Sequence, residues 1–72
     1  MTTTLTNEEK LGIIDQHRRN LDFAIYGFEL DLIELNAVTP LDTEAITSVT
    51  GRLELLNNKK AALEVEAATL TE

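Results

Sequence analysis

The sequence predicts an all-α protein. It is an antiparallel two-helix hairpin, coiled-coil-like, expected to complete a multi-helix bundle by self-association or by docking on a larger protein. Three observations carry this. Apolar residues recur at alternating 3-4 spacing through two long segments, and one Thr-Pro break divides those segments. The first segment also carries more apolar residues than one helix neighbour can cover. A repeat of threes and fours is the pattern of a helix laid along another helix.

Taken in order, Met1 to Leu5 is a Thr-rich lead within residues 1–6, expected to be loosely held. Thr6-Asn7-Glu8-Glu9 then reads as a capping box, in which the Thr hydroxyl accepts from the amide three residues on and Glu9 reaches back. Two acids in the first turn also suit the positive end of the helix dipole. Helix 1 is expected from about Asn7 to about Asn36.

Its main stripe is Leu11, Ile14, Arg18, Leu21, Ile25, Phe28, Leu32 and Leu35, of which seven of eight are apolar. A second stripe, Phe23, Tyr26, Leu30, Ile33 and Ala37, has the same spacing. At ~100° per residue the two stripes are centred roughly 150° apart around the helix. Asp22 and Glu29 fill one gap between them, Asp31 and Glu34 the other. Single surface apolar residues are ordinary. Four large side chains sharing one line, two of them aromatic, point instead to a second neighbour, so this stripe is the expected partner interface. Gly12 and Gly27 each cost ~1 kcal/mol against Ala inside a helix. Gly27 lies among large apolar residues, which suggests either close approach of another backbone or a local bend.

Residues 37–41 form the expected turn. Pro disfavours helical geometry in the residue before it and suits the first helical turn. Thr39-Pro40-Leu41-Asp42 therefore reads as a second start, with Thr39 as cap and Asp42 reaching back; Asp42 as the cap is the alternative. Helix 2 is expected over about 42–68, with the stripe Ile46, Val49, Leu53, Leu56, Lys60, Leu63, Ala67 and Leu70. The β-branched residues Ile46, Thr47, Val49 and Thr50, followed by Gly51, weaken local helix propensity. A strand there has no second strand to pair with.

A short connection makes the helices antiparallel neighbours. Folding the stripes together sets Leu32 against Ile46, Ile25 against Leu53 and Leu11 against Ala67. The interleaved rungs are Phe28 with Val49, Leu21 with Leu56 and Ile14 with Leu63. The residue numbers of each pair have a nearly constant sum, as an antiparallel pair requires. The interruptions obey the same rule: Arg18 faces Lys60, and Gly27 lies level with Gly51. At 1.5 Å per residue the hairpin is about 45 Å long.

The whole chain of 72 residues is one domain. A core this small supplies only ~3–5 kcal/mol without a staple. There is no Cys and only one His, so neither a disulfide nor a Cys- or His-based zinc site provides one. Oligomerisation or docking remains. The formal net charge of −7 repels nucleic-acid phosphates and anionic lipid heads, so direct binding to nucleic acid or membrane is not expected. No apolar run approaches the ~20 residues of a membrane span. Met1 to Thr6 has no basic start and no apolar core, so no secretory signal is expected. A cytoplasmic protein, or one incorporated in a particle assembled there, fits best.

Candidate chemistry is sparse. Arg18 and Lys60 form a polar level in the seam, with Arg19 and Lys59 beside them. Their stems can cover apolar surface while the heads reach water, Asp15, Asp22 or Glu64. A polar seam position also fixes register at a cost in stability. The functional alternative is an anion or partner carboxylate held between the two. Between Arg19 and Arg52 there is no basic residue, whereas Asp22, Glu29, Asp31, Glu34, Asp42 and Glu44 occupy that interval. His17 reads as a boundary side chain, and Asp15 points to another side of the helix, so the two do not form a dyad. No Glu-x-x-His motif, Gly-rich phosphate loop or basic–aromatic interleaving is present. No cofactor, metal or catalytic residue is expected. An enzyme using Arg18 and Lys60 as a carboxylate clamp lacks an acid–base partner.

The expected function is therefore that of a non-catalytic structural or assembly protein, a small helical-hairpin subunit of a larger complex or particle, a virion included. Its partners would be its own copies, a larger subunit or both. The alternative is an acidic regulator that occupies a basic site on a partner, as a nucleic-acid mimic does.

Overall fold

A computed structural model describes residues 4–71. Two helices, α1 (Asn7–Asn36) and α2 (Thr43–Leu70), pack against each other as a hairpin. Of the lead expected to be loose, only Thr4 and Leu5 are described, and they precede α1 without regular structure; Met1 to Thr3 lie outside the described residues.

Local chemistry fixes the helix ends. Thr6 caps α1: its Oγ1 accepts from the Glu9 N–H at 3.1 Å, and the Glu9 carboxylate accepts from the Thr6 N–H at 3.0 Å. Two otherwise orphaned donors are thereby satisfied. That same backbone bond, and then the Thr6 hydroxyl, hold the Glu9 carboxyl below the usual carboxylate range. At the second start the cap is Asp42, whose side chain accepts from the Ala45 N–H at 3.0 Å. The Thr39 cap preferred from sequence is thus corrected. Thr39 and Pro40 belong to the bend, and α2 begins at Thr43. An aspartate closer to the first helical turn offers a charged acceptor to the dipole, which a threonine does not.

The β-branched stretch is continuous helix. Thr47 Oγ1 donates to the Thr43 carbonyl and Thr50 Oγ1 to the Ile46 carbonyl, so both hydroxyls are satisfied without leaving the helix. A side chain added at Gly27 or Gly51 would meet no atom within 4 Å. Neither glycine accommodates another backbone of this chain, and α1 runs unbroken past Gly27.

Three contacts set the antiparallel register. At the open end the Asn7 side-chain amide donates to the Leu70 carbonyl at 3.2 Å. In the middle, Lys60 Nζ lies 2.7 Å from Asp22 Oδ1. Toward the connection, the Arg52 guanidinium lies over the Phe28 ring, 6.0 Å from its centroid. The partly buried residues of α1 are Leu11, Ile14, Arg18, Leu21, Ile25, Phe28, Leu32 and Leu35, together with Lys10. Those of α2 are Ile46, Val49, Leu53, Leu56, Lys60, Leu63, Ala67 and Leu70, together with Ala45.

Among the described residues none is fully buried. The molecule measures 54 × 22 × 15 Å with a radius of gyration of 16.6 Å. A compact globule of this length would have a radius near ~11 Å. Its accessible surface is 5655 Å², where a compact monomer of this mass would expose about 4,450 Å². Two rods side by side leave roughly 1,200 Å² more surface open than a globule does.

Candidate functional site

The geometry of a helix dictates where the second stripe goes. With the main stripe turned to α2, a line of residues roughly 150° away must face outward. Phe23 is 68% exposed, Tyr26 62%, Ile33 66% and Leu30 41%. Ala37, the C-cap residue of α1, is exposed at the end of the same line. No residue of α2 or of the connection covers this face.

The face is polar at its two ends, with opposite signs. At its start, the Arg19 guanidinium stands 6.0 Å from the centroid of the Phe23 ring, one turn on, as a cation over an aromatic face. At its finish, Glu34 flanks Ile33 and Ala37, and its carbonyl accepts from the Ala37 N–H at 3.2 Å. The last turn of α1 contains no basic residue. The negative end of the helix dipole therefore has no cation of its own helix beside it.

At the polar seam level the charged heads turn to two of the carboxylates the sequence puts within reach. Arg18 and Lys60 each reach diagonally to a carboxylate on the opposite helix. Arg18 Nη2 lies 3.9 Å from Glu64 Oε1, and Lys60 pairs with Asp22. The stems lie along the seam, so Arg18 Nε is buried without a hydrogen-bond partner while the head reaches the edge. These pairs occupy one flank of the hairpin. The opposite flank is furrowed: a recess of about 430 Å³ is lined by His17, Asn20, Leu21, Lys59, Ala62 and Leu63. Farther along that flank, Ala24, Gly27 and Asp31 line a shallower one. His17 thus sits at the rim of an open furrow. Among the described residues no group of three or more His, Cys, Asp or Glu is placed to hold a metal ion.

Sequence reasoning missed the outer face of α2. Leu55 is 55% exposed and Val65 67%. The signal was present: steps of three and four from Leu55 pass through Asn58, Ala62, Val65 and Thr69 without meeting a charge. It is weaker than the α1 stripe because only two of its members are large. Val38 and Leu41 in the connection are exposed as well.

No helix among the described residues is long and apolar enough to cross a membrane. Comparisons with family models, with curated proteins and with solved structures gave no match.

Proposed function

We propose that this hairpin is a non-catalytic structural or assembly protein, a small subunit of a larger complex or particle that works by packing its outer α1 face on another protein chain. The observation that carries this reading is the exposure of Phe23, Tyr26, Leu30 and Ile33 in a molecule with no buried residue among those described. A contiguous apolar line of that size, rimmed by acids, is the usual mark of a protein–protein contact. A two-helix protein also gains most from a neighbour, because its own seam is open along both edges. The neighbour would complete a multi-helix bundle around α1. The proposed setting is the cytoplasm or a particle assembled there, a virus particle included.

The test is recovery of the assembly from the native source with and without the double substitution Tyr26→Gln and Leu30→Gln. Helix content should persist and assembly should be lost. Assembly that survives the double substitution refutes the reading.

A second reading rests on a different observation. The interval from Asp22 to Glu44 contains six carboxylates and no cation, which suits an acidic regulator seated on a basic site. Partner binding that collapses with added salt favours that reading, because exposed charge pairs are screened within ~10 Å at ordinary ionic strength. Binding that persists favours apolar packing.

A further inference from the structure

We infer that the occupant of the outer α1 face is a second copy of this chain, packed antiparallel about a two-fold axis that passes near Gly27 to Leu30. This deepens the assembly reading above and rests on it.

Charge sets the direction of the pairing. The face begins with a cation, Arg19, and ends with an acid, Glu34, with Phe23, Tyr26, Leu30 and Ile33 between them. A patch that is positive at one end and negative at the other is self-complementary only when its copy runs the opposite way. A two-fold axis does this by construction. The register follows from the apolar residues. Setting Tyr26 against Leu30 of the copy places Phe23 against Ile33 and Arg19 against Ala37.

Arg19 of the copy then reaches Glu34 and the open carbonyl end of α1, where the last turn has no basic residue. The cation missing from that helix end is supplied by the neighbour. Each Glu34 lies about 18 Å along the axis from its twin, and so does each Asp22; Glu29, on the flank of the face, comes within about 3 Å of its twin along the axis and is the one like-charge level that opposes the pairing. A parallel pairing would instead set Arg19 beside Arg19 and Glu34 beside Glu34.

The area is also adequate. At the exposures of these four side chains, roughly 450 Å² of apolar surface per copy is open to a neighbour. Doubled, with Arg19 and Ala37 at the margins, this approaches the ~1,000 Å² that marks a specific contact. The size predicts a reversible dimer of moderate affinity.

The experiment uses the full chain, in sedimentation equilibrium over a wide concentration range. The expected result is a monomer–dimer equilibrium, weakened at least ~fivefold by Arg19→Glu or by Glu34→Arg alone. The double exchange should restore it to within ~twofold, since the same pair then forms with its signs reversed. The chain has no cysteine of its own, so a second measurement reads the register. Chains carrying Phe23→Cys, mixed with chains carrying Ile33→Cys, should cross-link to each other in preference to themselves. Same-site pairs lie about 15 Å apart along the axis, beyond the reach of a disulfide.

A dimer that the exchange fails to rescue, or that cross-links mainly between identical sites, overturns the antiparallel pairing. A chain that stays monomeric at high concentration yet is recovered in a larger complex sensitive to Tyr26→Gln and Leu30→Gln overturns the second copy as occupant and leaves the assembly reading standing. A monomer recovered in no complex overturns both.

Discussion

Truncating one seam residue measures how closed the seam is. Leu53 lies on the inner line of α2, partly buried. Leu53→Ala removes three carbon groups worth about 0.8 kcal/mol each when fully covered. The seam is open along both edges, so solvent refills the site and no enclosed void adds to the loss. The expected cost for the isolated hairpin is about 2 kcal/mol, at the low end of the ~2–5 kcal/mol seen for closed cores. Urea unfolding followed by circular dichroism gives the value, and it should be measured at two protein concentrations well apart. Dilution should leave about 2 kcal/mol. A cost well above that at high concentration means that another chain closes the seam edge on association. A cost below about 0.5 kcal/mol at every concentration, the range of ordinary surface changes, refutes the facing of Leu53 toward α1.

Other consequences are narrower. Thr6→Ala should cost about 1 kcal/mol by removing the α1 cap, and Asp42→Ala a similar amount at α2; both read out as fraying of the first turn in amide exchange. The Glu9 carboxyl titrates below its ordinary value when folded. Its contribution is therefore intact above the unfolded value and fades as pH falls through the lower folded one. Protection of the Thr6 amide, its exchange taken relative to the intrinsic rate at each pH, should fall only below the ordinary carboxylate range, and protection already lost near neutral pH contradicts the capping box. Gly27→Ala should raise stability by about 0.5–1 kcal/mol, because the helix gains a better former and the added methyl meets nothing within 4 Å. A loss in the dilute monomer would show a contact the hairpin does not contain. A double-mutant cycle on Asp22 and Lys60 should give under about 1 kcal/mol and shrink with salt, since both side chains remain partly open to water.

The hairpin was legible in the sequence because its signals are local or periodic. The Thr6–Glu9 box needs four residues, and the inner stripes repeat often enough to set a direction for each helix. The Pro40 break says where the chain turns. The second cap was less legible because Thr39 and Asp42 both have capping side chains, and the winner depends on where the bend releases the backbone. The ion pairs were legible only as a set of candidates, with Asp15, Asp22 and Glu64 all within reach of Arg18 and Lys60. Levels along a helix follow from counting, but a long side chain leans toward whichever carboxylate its rotamer meets, so Arg18 reaches Glu64 and Lys60 reaches Asp22. The outer α1 face was legible because Phe23, Tyr26 and Ile33 are bulky. The outer face of α2 was not, because Ala62, Asn58 and Thr69 dilute Leu55 and Val65 below notice.

The angle between the two faces of α1 has an architectural consequence. In a square of four rods, each rod touches its two neighbours in directions about 90° apart. Here the directions differ by roughly 150°, so a newcomer on Tyr26 and Leu30 stands almost in line with α2. Hairpins joined that way alone would make a row one rod thick, about 10–12 Å through, and closing the row into a bundle would take further contacts at its margins, where Leu55 and Val65 are exposed.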